Sequence, residues 1–186
     1  ILVAIDSFDN KSGFRPLTGM VDRAKELADV LKPLGFPKEN IHELYDSDAT
    51  SSEIERTLRF FWKGGKHSSV DRLIFYFGGH GDVNDGQGLL VTHDYDPQCP
   101  TLSSVGMFDL STRQARNLTP HHVLFVLDTC FSGLALKLGG NKEMSNKEFR
   151  KLAIIQSEID SKARNLLVAG NDNQEALWIN GGIFTK

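Results

Sequence analysis

Cysteine is scarce in this sequence, with two residues in 186, far below the density of a disulfide-stapled scaffold. No charged-then-apolar leader precedes the first strand-like run. Together these point to a reducing, cytoplasmic setting. Long apolar runs are missing too. The longest are strand-sized, well short of the roughly 18 residues of a membrane span, so no membrane partner is expected. Nor is there an excess of positive charge: 21 Lys and Arg stand against 24 Asp and Glu, for a net charge of −3, and the basic residues are scattered. That lacks the electrostatic footprint of a nucleic-acid binder and leaves proteins or peptides as the expected partners. A phosphate loop is also absent, since the glycine-rich GGHGD at 78–82 follows no GxxxxGK spacing. A nucleotide-binding flavodoxin-like reading loses its support, although fold alone does not exclude it. There is no internal repeat and no low-complexity tract.

What is present is an ordinary globular composition, 40% hydrophobic and 24% charged, in a chain long enough to bury about two thirds of its unfolded surface without metal or disulfide. One domain, 1–186, is expected. Short apolar runs alternate with helical patterns. ILVAI (1–5) reads as a strand, and MVDRAKELADVL (20–31) places Ala24, Leu27, Ala28 and Leu31 at helical spacing before Pro33 and Gly35 end it. IHELY (41–45) is a second strand. Thr50-Ser-Ser-Glu53 has the form of a capping box opening a helix with the stripe Ile54, Leu58 and Phe61. LIFYF (73–77), LLVT (89–92), VLFVL (123–127) and LLVAG (166–170) complete the strands. Fully apolar strands separated by helices imply a sheet covered on both faces, hence an α/β, three-layer α/β/α domain with a mostly parallel central sheet. Residues 139–165 are the most polar long connection, a linker or an amphipathic helix capped at Ser145 with Glu148.

In an open parallel sheet the functional crevice lies beyond the carboxyl ends of the strands. Two strands here end in unusual chemistry. LIFYF runs into GGHGD, placing His80 in a glycine-rich turn, and VLFVL runs into DTCFSG, placing Cys130 at the matching position of another strand. A lone buried cysteine is more often packing than chemistry, and a lone histidine after a strand as readily caps a loop. If the two strands are neighbours, however, thiol and imidazole share one edge. That is what nucleophilic catalysis by a thiolate requires. Gly81 and Cys130 N–H groups could then face a developing oxyanion, which a side chain at Gly81 would obstruct.

FYFGGHGD followed by VLDTCFSG resembles the caspase-like cysteine peptidases, closest to the metacaspase and bacterial caspase-like branch. The likeness extends to LTGMVDRAKELADVLKPLGF, ATSSEIERTLRFF and NLLVAGNDNQEALWINGGIFT, and so to nearly the whole chain. By this resemblance, 1–138 corresponds to the large-subunit-like part with the dyad and 166–186 to the start of a small-subunit-like part. Cys130 matches the nucleophile, His80 the general acid/base, and Gly81 an oxyanion donor. The resemblance nominates no third residue orienting the histidine.

Two residues before the nucleophile, Asp-cutting caspases carry Gln, whereas metacaspases carry an Asp that helps form an acidic specificity pocket. Asp128 occupies that place, implying cleavage after Arg or Lys; its alternative is a strand-end carboxylate accepting backbone N–H groups. Asp22 is the nearest candidate for the second pocket carboxylate, one residue short of the usual spacing from the preceding glycine, with Asp6 and Asp9 competing. The aspartate through which many metacaspases bind calcium beyond the nucleophile is replaced by LALKLGG, with Lys137 nearby; Asp94, Asp96 and Asp109 remain. No cofactor is expected, and calcium activation is disfavoured. Cys99, in a polar loop, matches no motif and reads as a surface thiol.

The expected protein is thus a cysteine endopeptidase acting through an acyl-enzyme in signalling or defence, with a regulatory domain or activator protein that orders its loops. The alternative is a catalytically silent caspase-like interaction module, although both dyad members are present. A chain ending on Lys186 fits either an omitted tail or autoprocessing after a basic residue, with Lys142, Lys147, Arg150 and Lys151 as further candidate sites.

Overall fold

The computed structural model describes residues 1–130 and 163–169. Five parallel strands form the central sheet: β1 (Leu2–Ala4), β2 (Glu43–Tyr45), β3 (Arg72–Gly78), β7 (His122–Asp128) and β8 (Ala163–Val168). Their order is β2-β1-β3-β7-β8. The apolar runs LIFYF and VLFVL therefore become adjacent central strands. They pair over seven residues, from Arg72↔His122 to Gly78↔Asp128. Burial on both faces explains why neither strand shows polar alternation.

One face packs against α1 (Met20–Leu31), whose Met20, Val21, Ala24, Ala28 and Leu31 meet Leu2, Ala4 and Tyr76. The other carries the larger core, in which Ile54 and Leu58 of α2 (Ser51–Arg59) join Val3, Phe75, Phe77, Phe125 and Leu127. A helical segment over 107–117, wound as a π-helix between Leu110 and Gln114, covers the same face through Met107, Leu110 and Ala115. The three-layer expectation holds. So does the capping box, since the Thr50 hydroxyl accepts from the Glu53 N–H at 3.3 Å. Phe61, just past the end of α2, is buried as expected.

Two differences from the expected elements stand out. LLV does not join the parallel sheet; it lies in β5 (Gln87–Val91), the middle strand of a separate antiparallel sheet with β4 (Gly81–Asn84) and β6 (Ser104–Gly106). The connection between β4 and β5 is the dipeptide Asp85-Gly86, with φ of 48° and 75°, the two positive values that a type I′ hairpin turn demands. The last described strand opens at Ala163, inside the polar connection, rather than at Leu166. The remainder of that connection, with the Ser145 and Glu148 cap and Lys142, Lys147, Arg150 and Lys151, lies outside the described residues, as do Lys137 and the segment ending at Lys186. No helix among the described residues is long and apolar enough to cross a membrane.

Candidate active site

All five central strands run the same way, so their carboxyl ends form one edge, and residues at equal offsets past a paired rung stand side by side. Ala4, Gly78 and Asp128 make up the last such rung across β1, β3 and β7. Two residues beyond it come Asp6, His80 and Cys130. The ladder continues outward through Ile5 N–H to Gly78 O at 3.0 Å and Gly79 N–H to Asp128 O at 3.4 Å. The neighbourhood of the histidine and cysteine strands, only an assumption in the sequence, is thus an observed parallel pair.

His80 is held on several sides. Its Nε2 lies 2.9 Å from the Arg15 carbonyl oxygen. A carbonyl can only accept, so this nitrogen carries the proton and Nδ1 holds the lone pair. The His80 carbonyl in turn accepts from the Val91 N–H at 3.0 Å. Phe8 and Phe14 pack against the ring with centroids 5.1 and 5.0 Å away. Burial lowers the pKa of the imidazole below its ordinary value, opposed by the Arg15 carbonyl bond and reinforced by the Arg15 charge. His80 is therefore neutral near pH 7, a form able to accept a proton.

Gly81 begins β4 and pairs with Leu90. Because the preceding residue, His80, accepts a ladder bond from Val91, the alternation of an antiparallel pair turns the Gly81 N–H away from β5. Its α-carbon also faces the Thr129–Cys130 turn directly. A Cβ there would collide with the Cys130 carbonyl and lie 2.8 Å from Thr129 Oγ1, so only glycine fits. Cys130 itself is half-buried and Cys99 is exposed, both as free thiols.

Asp128, at the end of β7, is 1% exposed. Strand alternation puts its side chain on the side of Val126, the face that α1 covers. Asp22 is exposed in the first turn of that helix. Asp6 is engaged differently, for its two carboxylate oxygens accept from the N–H groups of Met20 at 2.9 Å and Val21 at 3.3 Å. Since Gly19, at the N-cap, offers no side chain, Asp6 caps α1 from fourteen residues away. Asp9 is exposed at the start of a single 3-10 turn.

The other carboxylates weighed for calcium have local duties. Asp94 accepts from the Ser51 N–H and the Thr92 hydroxyl, Asp96 from the Gln98 N–H, and Asp109 pairs with Arg113. Among the described residues, no three or more His, Cys, Asp or Glu side chains gather as a metal would need.

Sequence reasoning missed the Arg15 carbonyl and the two phenylalanines around His80. A backbone acceptor 65 residues away leaves no pattern in the sequence, but Phe8 and Phe14 in an otherwise polar loop, SFDNKSGFRPLTG, were a visible signal.

A parallel α/β sheet with a histidine and a cysteine at adjacent strand ends defines a class, and comparison with known proteins names it. Residues 1–181 match the model of the caspase domain, and the chain belongs to that family, one of cysteine peptidases. Among solved structures it is similar to that of protein GSU0716 from Geobacter sulfurreducens, a structural-genomics target, at 18% identity and a TM-score of 0.64, covering 99% of this chain and 77% of that one. At that identity the likeness speaks for the fold alone. Among curated proteins, none matches this chain.

Proposed function

We propose that the protein is a cysteine endopeptidase that cleaves after Arg or Lys, with Cys130 as nucleophile and His80 as general acid/base. The observation that carries this reading is the paired rung Gly78↔Asp128, from which thiol and imidazole project at equal offsets over one edge. The neutral His80 ring takes the Cys130 proton at Nδ1, and the thiolate attacks the scissile carbonyl carbon. The oxyanion is received by the N–H groups of Gly81 and Cys130. Collapse of the tetrahedral species breaks the C–N bond, and the imidazolium gives its proton to the leaving amine. Water, deprotonated by the same nitrogen, then cleaves the thioester and frees the new carboxylate and the thiol.

Specificity follows from Asp128. A carboxylate withdrawn from solvent beside the nucleophile attracts a guanidinium or ammonium and repels an acidic side chain. Asp22 is the second acidic residue of the pocket in this reading, being exposed on the helix that covers the Asp128 face, whereas Asp6 is engaged in capping. Activation by a regulatory domain or activator protein, and self-cleavage after a basic residue, complete the proposal.

A peptide-library cleavage profile of wild type beside Cys130→Ala and Asp128→Ala tests it. Arg or Lys before the scissile bond is expected for wild type, no turnover for Cys130→Ala, and loss of the basic preference for Asp128→Ala. A preference for acidic residues overturns the pocket assignment. Intact mass addresses self-cleavage: wild type and Cys130→Ala ending at the same residue rule it out.

A further inference from the structure

Residues 7–18 leave β1, cross the strand edge and return to α1, and the loop is tied down along its length. Asp46 Oδ1 accepts from the N–H groups of Asp6 and Ser7, both at 2.8 Å. The Ser7 carbonyl accepts from His93 Nδ1 at 2.8 Å, and the Asp9 N–H donates to the His93 carbonyl at 3.0 Å. Phe8 lies between these two ties. Further along, the Phe14 N–H donates to the Ser12 hydroxyl at 3.2 Å. Phe14 then meets the nearly buried Tyr95 edge-on, with centroids 5.4 Å apart and planes at 79°. The Tyr95 hydroxyl donates to Asp82 Oδ2 at 2.5 Å, and Asp82 directly follows Gly81.

The three rings of Phe8, Phe14 and His80 form a triangle with sides of 5.1, 5.0 and 6.1 Å. The Phe8–Phe14 side is well short of the sum of the other two, so both phenyls lie to one side of the imidazole. The residue after Phe14 is Arg15, whose carbonyl receives the His80 Nε2 proton. Whatever fixes Phe14 also fixes that acceptor.

We propose that Phe14, braced by Tyr95 and Asp82, is a positioning residue for His80: with Phe8 it backs one side of the imidazole and anchors the Arg15 carbonyl, so that Nδ1 is the nitrogen kept for proton transfer. This rests on the reading of His80 and Cys130 as a dyad. It adds that the base and the oxyanion donor are coupled, since the chain of contacts from His80 through Phe14 and Tyr95 ends on the residue beside Gly81. Of the titratable and charged groups on the surrounding elements, which are Arg15 and Lys11 in the loop, Asp6 past the end of β1, Asp82 in β4, Tyr95 after β5 and Cys130 past the end of β7, Arg15 is the one that acts on the ring's charge. Arg15 favours the neutral ring, in the same direction as burial.

The test is NMR of 15N-labelled histidine in the whole protein, with the His80 signals assigned by their loss in His80→Asn. Wild type is expected to show the Nε2–H tautomer and a titration midpoint below 6.5. In Phe14→Ala, water reaches the ring and the carbonyl loosens; the midpoint moves toward 6.5 and both tautomers appear. Phe14→Leu keeps apolar cover and shifts less, and Tyr95→Phe, which keeps the ring but loses the Asp82 bond, moves in the same direction by a smaller amount. With an Arg-containing fluorogenic peptide, Phe14→Ala is expected to lose about tenfold or more in kcat with little change in KM, and its acid limb to move up in pH. A folded Phe14→Ala or Phe14→Leu whose His80 tautomer and midpoint both coincide with wild type overturns the proposal. If wild type turns over no peptide, the dyad reading fails instead, while the tautomer and the titration still decide the positioning role.

Discussion

The substitution Gly81→Ala isolates a single atom's worth of space at the proposed site. The φ of Gly81 lies outside the left-handed region, so alanine meets no backbone strain there and the whole effect is steric. The added methyl would lie 2.8 Å from Thr129 Oγ1 and closer still to the Cys130 carbonyl oxygen. Ordinary contacts need about 3.5–4.0 Å, so the hydroxyl has to retreat by at least ~0.7 Å and the cysteine carbonyl by more than ~1 Å. Neither atom is the loose end of a long side chain: one is a backbone carbonyl and the other belongs to a residue only 2% exposed. Relief therefore moves the turn that carries the thiol. A displacement of about 1 Å in reacting geometry costs on the order of a hundredfold in rate, whereas overpacking of this kind costs about 1–3 kcal/mol in stability. The expected outcome is a folded variant with lower Tm, a hundredfold or greater loss of kcat/KM toward Arg-containing fluorogenic peptides, and an altered rate of Cys130 alkylation. A Gly81→Ala protein that keeps kcat/KM within twofold of wild type would refute the reasoning, because β4 would then not abut the turn that carries Cys130.

Three further outcomes follow from separate parts of the molecule. Asp128→Asn keeps the shape of the pocket and removes its charge; kcat/KM for an Arg substrate is expected to fall by at least ~30-fold, with the loss measured against an uncharged-residue substrate of the same sequence. Thr50→Ala removes the side-chain cap of α2 and should cost about 1 kcal/mol of stability in denaturant titrations. His42, His67 and His80 all have pKa values lowered by burial, His42 to about 4 from 6.5. Since the unfolded chain takes up protons first, stability is full above about pH 6.5 and declines as pH falls toward 4, which melting temperatures across that range will show.

Much of the architecture was legible because burial on two faces leaves a strong trace. LIFYF and VLFVL could only be central strands, and the spacing of Ala24, Ala28 and Leu31 could only face a sheet. The second sheet was harder to see, since the apolar LLV is equally buried whichever sheet it joins. Its signal lay elsewhere, in Asp85-Gly86, where a two-residue turn with both φ positive dictates an antiparallel partner. His80 and Cys130 were legible as a pair through their strand ends and flanking glycines. The surroundings of His80 were not, because a carbonyl from Arg15 and an edge-on Tyr95 depend on how a loop folds back, which no local spacing records. Asp6 is the clearest instance: among the acidic candidates it was weighed for a pocket, and only the orphaned N–H groups above Gly19 explain its place.

That cap has an evolutionary side. Asp6 grips both ends of the 7–18 loop at once, its carboxylate on Met20 and Val21 and its carbonyl on the Leu17 N–H at 2.7 Å. The loop is thus a cassette clipped shut at its base. Its interior can lengthen, shorten or change residue while the clasp keeps β1 and α1 in register, because closing a longer loop costs little extra entropy. Variation could therefore retune what surrounds His80 without renegotiating the scaffold, and grafting alternative 7–16 sequences between intact Asp6 and Leu17 is the natural way to diversify this protein.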